Sequence, residues 1–248
     1  MGLALDALLT PCLLLDRSRV AANAAAMRER CLRSGVGLRP HVKTARCVEA
    51  MALAHGGETG PVTVSTLAEA HFFAERGWRD LFWAVAPAWS RLSQAAALAA
   101  EGVLISLACD HPATAQRLAA AANEAGVELP VRIEVDCGYG RAGLAADDPA
   151  LIQLAHQLHE QPGTRLEGVF THAGHSYGCS GVAAIVAVAA QERDAVVHAA
   201  ARVRAAGLPC PIVSAGATPT ASRGDQWQGV NELRPGNYLL FDLTQVAI

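Results

Sequence analysis

Lysine plus arginine number 20 in this 248-residue chain, yet a single lysine, Lys43, stands among them. Arginine serves wherever a fixed positive charge is enough. It cannot lose a proton at neutral pH and attack a carbonyl as a primary amine, which lysine can. A lone lysine in an arginine-rich chain therefore points to Schiff-base chemistry, with chance retention as the competing reading. Ser214-Ala215-Gly216-Ala217-Thr218-Pro219-Thr220 reads as an anion cradle: hydroxyls, backbone amides and a glycine that permits close approach. It lacks the lysine of a P-loop, and an ordinary polar turn is the alternative. Arg141 lies in the glycine-rich turn after Asp136, either as a ligand-directed cation or in an ion pair with Asp136. His172 and His175 form His-x-x-His. A strand end gives i and i+3 different directions, so hydrogen bonding to a ligand is the better reading than a two-histidine metal site. His156 and His159 fall on a helical pattern and read as a solvated face. His41, two residues before Lys43, either orients the lysine or packs inside the fold.

These residues share a position in the pattern of elements. Strand-like segments near 37–42, 61–65, 80–85, 103–108, 131–136, 166–172, 211–215 and 230–233 alternate with helical patterns near 18–34, 45–55, 66–76, 90–101, 111–125, 148–160 and 181–206. Thr66, Ser90 and Asp110-His111-Pro112 are start signals, and Gly77, Gly102, Gly126 and Gly207 are stops. Eight parallel β/α units predict an α/β fold, a (β/α)8 TIM-type barrel, with a doubly wound sheet as the alternative. No Gly-x-Gly-x-x-Gly follows the first strand, which weakens the dinucleotide-binding form of that alternative. Active sites of such barrels gather at the C-terminal ends of the strands. Lys43, Ser65, Arg141, His172, the Ser214–Thr220 segment and Arg234 all lie there, as do all three tyrosines, Tyr139, Tyr177 and Tyr238. Residues 12–16 form a further apolar, strand-like run outside the barrel count. The expected division is a segment 1–16 that joins a β-domain, a barrel over 17–241, and the start of a C-terminal β-domain over 242–248.

Composition narrows the function classes. Hydrophobic residues are 52% and charged residues 17%, which supports a large core and excludes disorder. A net charge of -3 argues against a nucleic-acid partner. No apolar run reaches the roughly 18 residues of a membrane span. The N-terminus has no basic signal region, and seven cysteines without a Cys-x-x-Cys pair read as reduced thiols of a cytoplasmic protein.

Pro40-His41-Val42-Lys43-Thr44 resembles the lysine motif of fold-type III pyridoxal-phosphate (PLP) enzymes, whose barrel is of the alanine racemase N-terminal type. The resemblance extends through Val64–Ala70, Glu134-Val135-Asp136 with Gly140-Arg141, Ser214–Thr220 and Glu232–Tyr238, in order, from Thr10 to Gln245. It is similar to the D-serine dehydratase and D-threonine aldolase family, and the His172–Tyr177 and Thr218-Pro219-Thr220 segments favour the D-serine dehydratase branch. The resemblance implies an aldimine on Lys43, a lyase acting on D-3-hydroxy amino acids, and β-elimination to a 2-oxo acid and ammonia. It implies Lys43, His172 and Tyr177 as catalytic residues. The implied cofactor-binding set is Lys43, His41, Arg141 beside the pyridine nitrogen, Tyr177, Ser214, Gly216, Ala217 and Thr218. It further implies a homodimer, and a divalent zinc or manganese ion held by a C-terminal β-domain, with no metal ligand in these residues. Alternatives are retro-aldol cleavage, racemisation, or a PLP-binding barrel without turnover.

Overall fold

Asp16, Thr66 and Asp148 are short polar side chains that each open a helix by accepting its first free amides. In the computed structural model, which describes residues 4–246, the Asp16 carboxylate accepts the amides of Ser18 and Arg19 and opens α1 (Arg17–Arg33), which leads into β1 (Gly37–Leu38). Then come α2 (Val48–Ala54), β2 (Val62–Val64), α3 (Leu67–Ala74) capped by Thr66, β3 (Asp80–Trp83) and α4 (Leu92–Ala100). β4 (Leu104–Cys109), α5 (Pro112–Ala125), β5 (Leu129–Asp136), the two-residue β6 (Leu144–Ala145) and α6 (Pro149–Glu160) follow. The chain continues through β7 (Thr164–Thr171), α7 (Val182–Ala205), β8 (Ile212–Ala215), α8 (Thr218–Arg223), β9 (Glu232–Leu233) and α9 (Leu243–Val246).

All pairings are parallel, in the order β1-β9-β8-β7-β5-β4-β3-β2, with β6 attached to β5. The ring closes just past β1. His41 bridges Thr63, the Val42 amide donates to the Thr63 carbonyl, and the Thr63 amide donates to the Pro40 carbonyl. This is the expected barrel of eight strands with a helical outer layer. The first strand is shorter than the expected 37–42, because residues 39–41 bond backbone-first to Leu233 and Pro235 on one side and reach Thr63 on the other. Ser90 does not cap: it sits in a 3-10 turn, and Arg91 precedes α4 without a side-chain cap. Residues 12–16 do not form the expected strand. They run without a ladder partner, and Leu13 is 97% exposed. A strand needs a neighbour for its backbone groups, and none of the described strands offers one. The expected terminal segments fall partly outside the described residues, at 1–3 and 247–248.

The two faces of the sheet differ. The face toward the helices is apolar: Leu118 of α5, Leu154 of α6, Val196 of α7 and Ile105 of β4 are among its buried members. The inside of the barrel carries only a small apolar cluster, Phe82, Ala108 and Phe170. Around it lies a charged network. Glu232 accepts from Arg39 (2.6 Å), Arg132 (2.7 Å) and Ser214 (2.6 Å), and Arg132 also reaches Glu167 at 2.6 Å. The Phe82 and Phe170 rings meet edge to face at 4.9 Å, with the Arg132 guanidinium 4.4 Å from the Phe82 centroid and Arg234 5.1 Å from that of Phe170.

Candidate active site

A cavity opens at the C-terminal ends of the strands. The β1 side supplies His41 and Lys43, the loop after β5 supplies Arg141, and β7 supplies Phe170 and His172. Gly216 after β8 and Arg234 after β9 complete its floor and far wall. No aspartate or glutamate lines it. The surroundings of Lys43 push its pKa below the ordinary lysine value, first by desolvation and then by the Arg141 charge, with Glu69 opposing. Glu69 is itself held in place: it accepts the Ser65 amide (2.7 Å) and hydroxyl (2.8 Å) and pairs with Arg46 at 3.0 Å.

Both histidines of the cavity are neutral. Burial, then the Lys43 charge, holds His41 well below its ordinary pKa, and burial with Arg141, Arg234 and Lys43 brings His172 to about 3. His172 Nδ1 lies 3.3 Å from the Gly216 carbonyl, an acceptor only, so Nδ1 carries the proton and Nε2 is left as an acceptor. His41 Nδ1 accepts the Lys43 amide at 3.4 Å, so His41 both closes the barrel and steadies the backbone that carries the lysine. His175 separates from His172 and tilts against Tyr139, with ring centroids 5.7 Å apart. His156 bonds Glu160 on the exposed face of α6, at 2.8 Å.

Arg141 does not pair with Asp136. The Asp136 carboxylate collects the amides of Gly138, Tyr139 and Gly140 and so shapes the turn. Arg141 instead meets the buried Glu134 at 3.1 Å, which aims the guanidinium across the cavity mouth. Burial raises the Glu134 pKa, and Arg141 opposes that shift.

The Ser214–Thr220 segment divides in two. Ser214 is not part of a cradle. Its hydroxyl is held inside the barrel, donating to Glu232 and accepting from Arg234. Gly216 has φ +111°, and a Cβ there would meet the Arg234 amide nitrogen at 2.9 Å, so only glycine lets the loop pass. The Ala217 amide donates to the Thr220 hydroxyl at 3.1 Å, and the Thr218 amide donates to the Tyr177 hydroxyl at 3.3 Å. Thr218 Oγ1 accepts the Gly236 amide, which ties this loop to the one after β9. Burial raises the Tyr177 pKa and keeps its phenol protonated.

The sequence places Arg234 at a strand end without a role, and does not single out Glu192. Arg234 is a fully enclosed guanidinium in the cavity wall, bonded to Ser214 and the Thr171 and Ala215 carbonyls. Glu192 is buried in α7 and accepts the Ala173 and Gly216 amides and the Thr220 hydroxyl. Its signal is its phase: it falls in register with Ile185, Ala189, Val196, Ala199 and Val203 on the buried face of α7.

A phosphorylated aldehyde suits these residues. The surroundings hold the amine below its ordinary pKa, the Arg141 and Arg234 guanidinium groups make the lining cationic, and the glycine wall admits close backbone approach. A metal ion has no comparable place: among the described residues no three His, Cys, Asp or Glu side chains converge. No helix of the described residues is long and apolar enough to cross a membrane.

Known proteins resemble this chain along nearly its whole length. D-threo-3-hydroxyaspartate dehydratase of Delftia sp. (strain HT23) is 44% identical over 94% of this chain and 62% of its own. The solved structure of that enzyme superposes with a TM-score of 0.93, covering 97% of this chain and 63% of its own. D-serine dehydratase of Dictyostelium discoideum is 28% identical (96% of this chain, 64% of its own), and D-threonine aldolase of Arthrobacter sp. is 30% identical (94% and 61%). The alanine racemase structure of Clostridium difficile 630, at 15% identity and a TM-score of 0.75 over 91% of this chain and 57% of its own, shares the fold. The chain spans less than two thirds of these relatives' lengths. Residues 15–244 match the family described as alanine racemase, N-terminal domain, and with this barrel and this lysine-bearing cavity the chain belongs to that family.

Proposed function

We propose that this barrel binds PLP at Lys43 and is the cofactor-binding part of a lyase that dehydrates D-3-hydroxy amino acids. The observation that carries the reading is the placement of the sole lysine, at a strand end, in a cavity walled by Arg141, Arg234 and a glycine loop. The relative that shares 44% identity, a D-threo-3-hydroxyaspartate dehydratase, supports the reaction type.

Bound there, PLP supplies an aldehyde for the amino group and a ring that accepts the electron pair left at Cα. The lowered pKa of Lys43 leaves more free amine at neutral pH than an exposed lysine has, first to attack and then to take the Cα proton. Arg141, braced by Glu134, would face the pyridine nitrogen and keep it unprotonated, as the sequence resemblance implies. Tyr177 accepts the Thr218 amide and keeps its own proton to donate to a phosphate oxygen. Neutral His172 would offer Nε2 as an acceptor within the cavity. In dehydration the Cα–H and Cβ–O bonds break, a Cα–Cβ double bond forms, the hydroxyl takes a proton and leaves as water, and the released enamine tautomerises to an imine that a second water hydrolyses to a 2-oxo acid and ammonia. Hydroxide is a poor leaving group, and the zinc or manganese ion proposed to assist belongs with a C-terminal β-domain. That domain would also cover exposed Leu9, Leu13 and Leu243 near the two ends of the chain. The protein is proposed to be a cytoplasmic homodimer.

The first experiment adds PLP to the purified chain and follows the long-wavelength imine absorbance, then traps it with borohydride. The reduced adduct is expected on Lys43 and is lost in Lys43→Ala. No imine in the wild-type chain overturns the reading. Retro-aldol cleavage is the second reading, favoured by the Arthrobacter aldolase at 30% identity. Feeding D-serine and D-threonine separately separates the two: pyruvate with ammonia marks elimination, and glycine with acetaldehyde marks aldol cleavage. Imine formation without turnover of either marks a binding barrel.

A further inference from the structure

Glu192 is a charged residue in the wrong place for a charge. It sits on the α7 face that packs against the sheet, 0% exposed, with apolar Ala189 and Val196 one turn away on either side. None of the described arginines, histidines or lysine forms an ion pair with it. Such a group persists only if hydrogen bonds offset its desolvation. Its oxygens take three. Oε1 accepts the Ala173 amide at 2.8 Å and the Gly216 amide at 3.0 Å, and Oε2 accepts the Thr220 hydroxyl at 2.7 Å.

Those three donors belong to two loops of the active-site rim. Ala173 follows β7, between His172 and Tyr177, and Gly216 and Thr220 follow β8. One carboxylate therefore joins the loop that carries His172 and Tyr177 to the loop that carries the glycine wall. It orients the Gly216 amide directly. It orients the Ala217 amide through Thr220, whose hydroxyl accepts that amide and donates to Glu192. The Gly216 amide is thereby turned toward Glu192 and the Thr218 amide toward the Tyr177 oxygen, so the Tyr177 hydroxyl, held by that amide, is the donor left to face a phosphate.

We propose that Glu192 is the positioning residue of the phosphate-binding side of this site, fixing the loop after β8 against the loop after β7 so that the Tyr177 hydroxyl, held by the Thr218 amide, meets the cofactor's phosphate ester. The inference rests on the PLP reading above and deepens it. A leucine at 192 would pack as its neighbours do but leave two amides and a hydroxyl unpaired, and the loop would relax to satisfy them. Glutamine keeps the volume and one acceptor oxygen, while its amide must reverse the bond to Thr220.

The test uses two aldehydes that differ only in the phosphate. The full chain is titrated with PLP and, separately, with pyridoxal, reading imine absorbance in wild type, Glu192→Gln and Glu192→Leu, with circular dichroism to report folding. Wild type is expected to bind PLP more tightly than pyridoxal. Glu192→Leu is expected to lose about tenfold in PLP affinity, the worth of a buried charged hydrogen bond, with pyridoxal affinity unchanged, and Glu192→Gln to lose less with the same selectivity. Should the leucine variant fail to fold, the glutamine variant carries the comparison. Equal losses for both aldehydes, or no loss, overturn the role of Glu192 while leaving the cofactor reading intact. No imine with either aldehyde in wild type overturns the cofactor reading, and this inference with it.

Discussion

The inside and the outside of the barrel wall are built from opposite materials. Outside, alanine-rich helices lie on Ile105, Val131 and their neighbours, and non-directional burial supplies stability at about 25 cal/mol per Å². Inside, Arg39, Arg132, Glu167, Glu232 and Arg234 are enclosed around two phenylalanine rings. Desolvation makes such ion pairs weak contributors to net stability. Their directional bonds do something burial cannot: they fix the strands in register beneath the cavity. Glu232 bonds Ser214, Ser214 bonds Arg234, and Arg234 lines the site. Stability and placement are thus largely separate duties of the two faces, and substitutions on each should show it.

The largest effect is expected at Glu232. Glu232→Gln removes the charge that serves both Arg39 and Arg132 and should destabilise the chain by about 3–5 kcal/mol, the cost of leaving buried charges unpaired. Thermal unfolding measures it. Imine titration should also show weaker PLP binding, because Ser214 and Arg234 lose their anchor. Acid sharpens the point. Burial alone would raise the Glu232 pKa, but Arg132 and Arg39 bring it down to about 2 from an ordinary value of 4.5. A depressed folded-state pKa gives stability that is full above 4.5 and is lost as pH falls toward 2. The gap in stability between wild type and Glu232→Gln should therefore narrow over that window. A constant gap would separate Glu232 from the acid response.

Leu118→Ala is the matching cut on the outer face. Leu118 is fully buried in α5, and its loss should cost about 3 kcal/mol through lost transfer energy and a cavity. PLP affinity at a temperature where the variant is folded should equal that of wild type. Weaker cofactor binding here would break the division of duties. Gly216→Ala should show the reverse profile. A Cβ 2.9 Å from the Arg234 nitrogen, on a backbone at φ +111°, costs about 1–3 kcal/mol, a smaller loss of stability but a larger loss of PLP affinity.

The same division explains what the sequence disclosed. Alternation of apolar strands with capped helices belongs to the outer face, so the barrel and its eight strands were legible. Lys43 was legible by composition, and the loops carrying Arg141, His172 and Gly216 by their place after strands. The interior bonds were not, since they join residues far apart in sequence: Arg132 meets Glu232 a hundred positions away. Ser214 was misplaced for that reason, its hydroxyl drawn inward by Glu232 rather than toward a ligand. Of the two readings the sequence leaves open for Arg141, the ion pair with Asp136 does not form, because that carboxylate is saturated by the turn's own amides. The run 12–16 reads as a strand by its apolar composition, and the neighbour such a strand needs is not among the described strands.

The smallest effect is expected where an arginine and a glutamate meet in water. Arg33 and Glu29, one turn apart on α1, form an ion pair whose side chains are 61% and 68% exposed. The partners are of the same types as Arg132 and Glu232, which are nearly enclosed. Water and salt screen the exposed pair, and side-chain entropy opposes it, so Arg33→Ala should change stability by no more than about 0.5 kcal/mol. Unfolding by urea at low and high salt measures it, and the small difference should shrink further at high salt. An Arg33→Ala cost approaching that of Glu232→Gln would mean that residue type, and not enclosure and bond count, sets the worth of a charge in this barrel. The assignment of the interior network to placement would then lose its physical basis.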